Sequence, residues 1–266
     1  MKRGALIVGA VLVALGASLT LLWSALEPEL PDGDLAPRGE IVPIVSGTVT
    51  SYLLTRASAP LVLVNPGSDP DATQILKHIE QLGRSPDDVR TIIVTHGSTD
   101  HAAGIEHFPR ATVYASSSDL DLLDHVRRIQ APLPRLRMRI FGRPPRPPRL
   151  KTVLSSERLN VGGIVIEAVS LPGVTQGSMA YRFGDTLFVG DSLWQGQDGL
   201  EPPPRYWLES SDALDQALER VRTLPTEWIA TSRHGLHQRG RTPITAGNGR
   251  RIEPVPASNT SVPEPY

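Results

Sequence analysis

The chain has 266 residues, of which 39% are hydrophobic and 21% are charged, so it can form one large domain with a packed core. Its formal net charge of −1 provides no general attraction for nucleic acid or for anionic membranes. The sequence contains no cysteine, which excludes disulfides, thiolate metal ligands and cysteine nucleophiles.

The first predicted element is an N-terminal membrane anchor or signal segment over residues 1–26. After Lys2 and Arg3 the sequence is uncharged and mostly apolar up to residue 26, and about 20 such residues span a bilayer as a helix. The basic start, with an acidic segment after the apolar run, favours a membrane-anchored domain on the periplasmic or extracellular side. A cleaved signal peptide is the alternative. Residues 27–40, rich in proline, glycine and acidic side chains, form a predicted linker.

Predicted strands and helices then alternate over residues 41–241, which we interpret as one α+β domain. Alternating or continuous apolar residues predict the strands, and apolar residues three to four positions apart predict the helices. In chain order these are two strands in 41–56, a strand in 60–67, a helix in 69–83, a strand in 90–97, a helix in 101–108, a strand in 111–116, a helix in 117–129, strand pairs in 157–173 and 178–191, a helix in 210–224 and a strand in 227–235. The polar residues 242–266 form a predicted disordered tail.

One segment within this domain, residues 132–151, breaks the alternation. It contains six arginines, one lysine, six prolines and no acidic residue. This composition predicts an extended surface loop or insertion. Such a loop could bind an anionic substrate or lipid headgroups, or it could simply be a solvated segment.

Three predicted strands are followed by side chains that could bind a metal ion. His96, Asp100 and His101 follow the first, Asp191 follows the second and His234 follows the third. Loops that leave strand ends meet at one edge of a sheet, and imidazole and carboxylate groups suit zinc, iron or manganese. Each residue alone could instead be structural, for example as a helix cap.

These motifs resemble the metallo-β-lactamase fold family from about residue 41 to residue 237. The family signature His-x-His-x-Asp-His reads here as "HGSTDH" at 96–101. The segment "LPGVTQGS" is similar to Pro-Gly-His-Thr-x-Gly-Ser, with Val174 in the histidine position. "TLFVGDSL" is similar to the Gly-Asp segment and "TSRHG" to the terminal Gly-His-Gly segment. The family's early Asp-Thr-Gly type turn carries Asn65 in the place of the aspartate.

The resemblance implies a four-layer αβ/βα sandwich of two mixed β-sheets flanked by helices. It also implies that one of the family's two metal sites is lost. The first site would use His96 and the positions of Ser98 and Val174, neither of which supplies an imidazole. The ligands of the second site are all present, namely Asp100, His101, Asp191 and His234. We therefore expect one ion, with zinc expected and iron or manganese as alternatives.

The implied function is a membrane-anchored hydrolase with a mononuclear metal site and a small-molecule substrate. In this interpretation Asp100 and His96 are the catalytic residues. Asp100 orients the attacking water, and His96 binds the ion, supports a ligand or transfers a proton. Thioester, lactone, lactam and phosphoester bonds all remain open. Nucleic acid is not expected as a substrate, because the features of the family's nuclease branches are missing.

Two other functions compete with this one. The first is a catalytically inactive member of the fold that acts as a binding or scaffold module at the cell envelope, favoured by the degenerate active site. The second is a one-iron oxidoreductase. It is the weaker alternative, because one-iron members of the fold retain the histidines that are missing here.

Overall fold

The computed structural model describes residues 35–247, 249 and 251–252. No helix within this part of the chain is long and apolar enough to cross a membrane. The predicted anchor over residues 1–26 and most of the predicted linker over residues 27–40 lie outside the described residues.

The first sheet begins with an antiparallel meander and continues with parallel strands. Its six strands, in spatial order, are β1 (Ile41–Ser46), β2 (Val49–Leu54), β3 (Leu61–Val64), β4 (Val89–Ile93), β5 (Thr112–Ala115) and β6 (Leu150–Thr152). β1, β2 and β3 pair antiparallel, whereas β3 to β6 pair parallel. All four residues of β3 are buried, which is the reason for its continuous apolar sequence, since both faces of this strand are covered.

The second sheet is also mixed and is formed by the C-terminal half of the chain. Its strands are β7 (Arg158–Val161), β8 (Ile164–Ser170), β9 (Met179–Phe183), β10 (Thr186–Gly190), β13 (Trp228–Thr231) and β14 (Gly235–Gln238), in the spatial order β14-β13-β10-β9-β8-β7. Only the β10–β13 pair is parallel. The carboxyl ends of β10 and β13 therefore lie side by side.

Four two-residue strands form a third, small sheet. They are β11 (Trp194–Gln195), β12 (Leu200–Glu201), β15 (Ile244–Thr245) and β16 (Arg251–Ile252). Ile244 pairs with Leu200 of β12 and is buried. The prediction that the disordered tail begins at residue 242 is therefore wrong at its start, because a long-range pairing orders residues that look irregular locally.

The helices lie where the apolar spacing predicts them, with two differences. They are α1 (Thr73–Gln81), α2 (Thr99–Ala102), α3 (Ser117–Leu123), α4 (Pro132–Phe141) and α5 (Ser211–Thr223), with 3-10 turns at Pro86–Asp88, Ala103–His107 and Arg205–Trp207. The side chains of Ser116 and Ser210 cap α3 and α5 by accepting backbone N–H groups. α3 ends at Leu123 and is shorter than the helix predicted over residues 117–129.

The second difference is α4, because the sequence predicted an extended loop there. Pro132 and Pro134 stand in the first turn of the helix, where backbone N–H groups have no partner inside the helix and proline is tolerated. Gly142 ends the helix with a φ of 87°. The loop interpretation is therefore wrong for residues 132–141, since proline breaks a helix in its interior but not at its start.

Three apolar clusters define the layers of the domain. The first contains residues of both large sheets, such as Tyr52, Val64, Ile166 and Phe188, and it fills the space between them. The second packs the other face of the first sheet against α1, and the third packs the other face of the second sheet against α5. This arrangement confirms the predicted sandwich of two mixed sheets with helices outside. Each fully buried aliphatic side chain stabilises it by about 1.5–3 kcal/mol.

Candidate metal centre

The loops after β3, β4, β10 and β13 meet at one end of the sandwich, and Asn65 joins three of them. Its amide oxygen accepts a hydrogen bond of 2.9 Å from the Thr95 backbone N–H. Its amide nitrogen donates to the Thr95 hydroxyl at 3.0 Å and to the Ser232 hydroxyl at 3.4 Å. Asn65, the family's aspartate position, therefore holds the loops that follow β4 and β13 at fixed positions.

Gly190 allows β10 to deliver the next side chain into this site. It has a φ of 60°, a left-handed conformation that glycine adopts without strain. A β-carbon at this position would collide with the side chain of Thr95. The register between β10 and β13 also shifts here, and Ser232 N–H donates to the Gly190 carbonyl at 3.0 Å. Asp191 thereby turns into the space between the loops.

Three buried side chains form a group that could hold a metal ion. One ligand atom each of His96, His101 and Asp191 lies within 4.8 Å of the others. His101 Nε2 is 3.4 Å from Asp191 Oδ1, and His96 Nε2 is 4.0 Å from Asp191 Oδ2. Donors bound tetrahedrally to zinc lie roughly 3.3–3.4 Å apart, given bonds of about 2.0–2.1 Å.

The residues present fit one ion. His101 Nε2 is buried and has no hydrogen-bond partner among the described residues, although a buried ring nitrogen normally has one. Two imidazoles and one carboxylate are a donor set that zinc, iron and manganese accept. A bound ion would satisfy that nitrogen.

Two positions of the family's first metal site hold side chains other than histidine, namely Val174 and Ser98. Val174 is buried in the third apolar cluster, where it packs against other hydrocarbon side chains. The Ser98 hydroxyl lies 2.9 Å from His96 Nε2, 2.5 Å from Asp100 Oδ1 and 3.2 Å from His101 Nδ1. Ser98 therefore links the polar groups of the motif by hydrogen bonds in the position where the family has an imidazole.

An arginine that sequence reasoning overlooked lies inside the site. Arg233 is only 1% exposed. Its Nε and Nη2 donate to the two oxygens of Asp191 at 3.1 and 3.0 Å, and Nη2 also donates to Asp100 Oδ2 at 2.5 Å. Its Nη1 donates to the Thr48 carbonyl at 3.3 Å. One guanidinium thus pairs with both carboxylates of the site, with the two-pronged geometry in which arginine binds carboxylates best.

The indole rings of Trp194 and Trp207 cover this guanidinium. Arg233 Cζ lies 5.7 Å from the Trp194 ring centre and 5.4 Å from that of Trp207, and the two rings meet edge to face at 5.3 Å. Arg137 of α4 lies over the same Trp207 ring at 5.5 Å. The aromatic residues after β10 therefore shield the site from water and stabilise positive charge beside it.

The surrounding charges set the protonation of the acidic groups. Burial alone would raise the pKa of Asp191, but Arg233 and His101 outweigh it and hold that pKa well below its usual range. The pKa of Asp100 is also held well below its usual range, because His101 and Arg233 outweigh its burial. Both acids are ionised at neutral pH.

The two histidines of the group differ in the direction in which their surroundings shift their pKa values. Burial lowers the pKa of His101, but the carboxylates of Asp191 and Asp100 outweigh this effect and raise the pKa to about 9. Burial, and then the charge of His101, lower the pKa of His96 to about 3. His96 is thus neutral, as a ligand must be, whereas His101 must release a proton before it binds a metal ion.

The structure does not gather all five predicted metal ligands into one group. The group within 4.8 Å contains His96, His101 and Asp191 but neither Asp100 nor His234. Asp100 accepts hydrogen bonds from the Ser98 hydroxyl and from Arg233 Nη2. His234 is buried beside the site, and neither of its ring nitrogens has a hydrogen-bond partner among the described residues. Burial, with His237 nearby, lowers its pKa to about 4.

A second residue that the sequence did not single out is Asp119 of α3. This carboxylate is 1% exposed, and it accepts hydrogen bonds from Gly97 N–H at 3.0 Å, Thr175 Oγ1 at 2.8 Å and Arg127 Nη2 at 3.2 Å. It therefore ties the "HGSTDH" loop to the loop after β8. Only long-range geometry reveals it, because an acidic residue near a helix start usually indicates capping.

The two mixed sheets, the helices outside them and the buried His–Asp group define an αβ/βα sandwich protein with a metal-type site at its strand ends. Comparison with known families agrees, since the family model described as the metallo-beta-lactamase superfamily matches residues 45–234. That match covers more than half of the chain. The chain therefore belongs to the metallo-β-lactamase superfamily.

Three curated relatives share 27–30% of the aligned residues with this chain. A hydroxyacylglutathione hydrolase from Idiomarina loihiensis is 28% identical over 171 residues, which cover 63% of this chain and 53% of the relative. One from a Synechococcus strain is 30% identical over 159 residues, covering 57% and 53%. A beta-lactamase hydrolase-like protein from Xylella fastidiosa is 27% identical, covering 65% and 38%. The chain spans about half the length of the hydroxyacylglutathione hydrolases that it matches.

Solved structures support the fold. A subclass B3 metallo-beta-lactamase from a soil metagenome library superimposes with a TM-score of 0.58 at 21% identity, covering 75% of this chain and 78% of that one. A metallo-beta-lactamase family protein from Thermus thermophilus also gives 0.58, at 19% identity and with 76% and 75% covered. At these identities the likeness shows the fold alone.

Proposed function

We propose that this protein is a hydrolase that uses a single divalent metal ion, zinc by preference, and acts on a small-molecule thioester. The observation that carries this proposal is the buried group of His96, His101 and Asp191. The hydroxyacylglutathione hydrolases among the relatives support a thioester as the bond that is cleaved.

When bound, such an ion supplies Lewis acidity, which promotes the ionisation of water and polarises a carbonyl oxygen. His96 and His101 offer imidazole nitrogens and Asp191 offers a carboxylate oxygen. Asp100 carries a second negative charge beside them, and Ser98 holds that carboxylate in place through a hydrogen bond of 2.5 Å. The rings of Trp194 and Trp207 restrict water on one side of the site.

Metal content per chain tests this proposal. The purified full chain should contain about one zinc, iron or manganese by elemental analysis, and Asp191→Ala combined with His101→Ala should remove it. His78→Ala, which removes an imidazole on the distant helix α1, is the matched control and should leave the metal content unchanged. A thioester panel that includes an acyl-glutathione then tests the bond type. Absence of metal in the parent after incubation with zinc would refute the proposal.

One observation favours a second candidate function, a catalytically inactive binding module. Arg233 already pairs with both carboxylates of the site, so the fold can hold these buried groups without an ion. In that case the parent chain would hold no metal and would hydrolyse no ester, while its thermal stability would be insensitive to chelators.

We also propose that residues 1–26 anchor the domain in a membrane, on the periplasmic or extracellular side. The uncharged apolar run after Lys2 and Arg3 supports this. Full-length chain should remain with the membrane fraction after alkaline carbonate extraction, whereas a chain that starts at residue 27 should not. Extraction of the full-length chain into the soluble fraction would contradict the anchor.

A further inference from the structure

The buried guanidinium of Arg233 pairs with Asp191, the carboxylate of the candidate ligand group. Asp191 has two oxygens, and Arg233 donates a hydrogen bond to each of them, at 3.1 and 3.0 Å. The same Asp191 Oδ1 lies 3.4 Å from the unpartnered Nε2 of His101. A metal ion and Arg233 would therefore use the same oxygen atoms.

The charges of the site also disfavour the presence of both cations, the Arg233 guanidinium and a divalent metal ion, at the same time. Asp100 and Asp191 contribute two negative charges, and Arg233 contributes one positive charge within hydrogen-bond distance of both. A divalent ion added to this group would leave a net positive charge in a buried place. Without the guanidinium, the same ion would neutralise the two carboxylates. Unbalanced buried charge is costly, so each cation disfavours the other.

The surroundings of Arg233 hold it in this position. Its Nη1 donates to the Thr48 carbonyl at 3.3 Å. The rings of Trp194 and Trp207 cover its face, at 5.7 and 5.4 Å from Cζ. Two carboxylates, one carbonyl and two aromatic rings therefore hold the Arg233 side chain in this position in the folded protein.

We propose that Arg233 is an internal competitor for the metal ion, so that the ion binds to His96, His101 and Asp191 only when the guanidinium gives up Asp191. This inference rests on the metal site of the proposed function and concerns the regulation of that site. It assigns Arg233 a role that is separate from ligand binding. Metal affinity in this chain is then set by an arginine that never touches the ion.

Metal affinity of the full chain tests the proposal directly, without any assay of activity. Chain stripped with a chelator is titrated with zinc in competition with a chromophoric chelator, for the parent and for Arg233→Met. We expect the variant to bind zinc about tenfold or more tightly, because it loses both the competing donor and the opposing charge. Far-UV circular dichroism confirms that each protein is folded.

Two further variants keep the test decisive. Arg233→Met leaves two buried carboxylates without a donor and could unfold the chain, so Arg233→Gln, which keeps an uncharged donor and both carboxylates, is tested beside it and should also bind zinc more tightly. Arg182→Met is the matched control, because Arg182 is a part-buried arginine that pairs with Glu167 on the neighbouring strand of the second sheet. It should bind zinc like the parent.

The outcomes separate this inference from the proposed function. Tighter zinc binding in both Arg233 variants supports the inference. If both variants bind zinc and the parent binds none, the inference is supported most strongly and the proposed function fails. Equal affinity in the parent and the variants overturns the inference and leaves the proposed function intact. If no protein binds zinc, Arg233 is not what keeps the ion out, and both are overturned.

Discussion

The buried carboxylate of Asp119 makes a specific prediction about pH. Burial raises its pKa to about 6, although Thr175, Gly97 and Arg127 oppose the rise. An aspartate in an unfolded chain has a pKa of roughly 3.9. The protonated form is therefore favoured in the folded state, and its contribution is fully present below about pH 4 and is lost as the pH rises through 6. The difference of roughly two pKa units corresponds to about 3 kcal/mol.

Asp119→Asn removes this dependence, because an amide does not ionise. The amide oxygen can replace the oxygen that accepts from Gly97 and Thr175, so only the contact with Arg127 is lost. We expect the variant to match the parent within about 1 kcal/mol at pH 4. Between pH 4 and pH 7.5 the stability difference should then shift by about 3 kcal/mol in favour of the variant.

Urea unfolding of both proteins at several pH values measures this shift. Asp124→Asn is the control, since Asp124 is an exposed carboxylate just after α3 with only a 3.7 Å contact to Arg146, and it should change stability by less than about 0.5 kcal/mol. A difference that stays constant with pH would refute the reasoning. A parent that gains stability relative to the variant would show that Arg127 and the two loop donors outweigh burial.

Three further predictions concern the strand ends and the ion. Gly190→Ala should destabilise the fold by about 3 kcal/mol in urea unfolding, because it combines left-handed backbone strain with a collision at Thr95; a loss below 1 kcal/mol would contradict this. Asn65→Ala should cost about 2–4 kcal/mol, since it leaves the buried Thr95 N–H unpaired, and a neutral effect in the same assay would contradict the bridging role. Removal of metal by a chelator should lower the melting temperature by less than about 4 °C, because Arg233 then pairs with both carboxylates again, and a much larger fall would contradict this pairing.

The elements that the sequence predicted well are those set by local apolar spacing. Short apolar runs of the buried type predict the strands β4, β10 and β13, and the side chains that follow these strands are predicted to lie at one edge of the sandwich. Both features depend on nearby residues and on a general property of strand ends. The third, small sheet could not be predicted in this way, because its pairing joins β12 to β15 across more than 40 residues of chain.

The turn after β13 explains why the sequence motif does not reveal Arg233. The motif comparison assigned the ligand role to His234, one position later. The Thr231 hydroxyl accepts the His234 backbone N–H at 2.9 Å, and Gly235 has a φ of 75°. The turn is therefore tight, and adjacent side chains in it point in different directions. Arg233 is directed at Asp191, while His234 stays outside the compact ligand group.

The arginine and the changes in the motif are connected by the cost of buried charge. The fold brings Asp100 and Asp191 together at the ends of different strands, and neither is exposed enough for water to solvate its charge well. Leaving such a pair without a cation would cost several kcal/mol. With Ser98 and Val174 in place of imidazoles, two histidine ligands of the family's first metal site are missing beside this pair. A guanidinium at residue 233 supplies the missing positive charge covalently, so the folded state does not depend on the supply of metal.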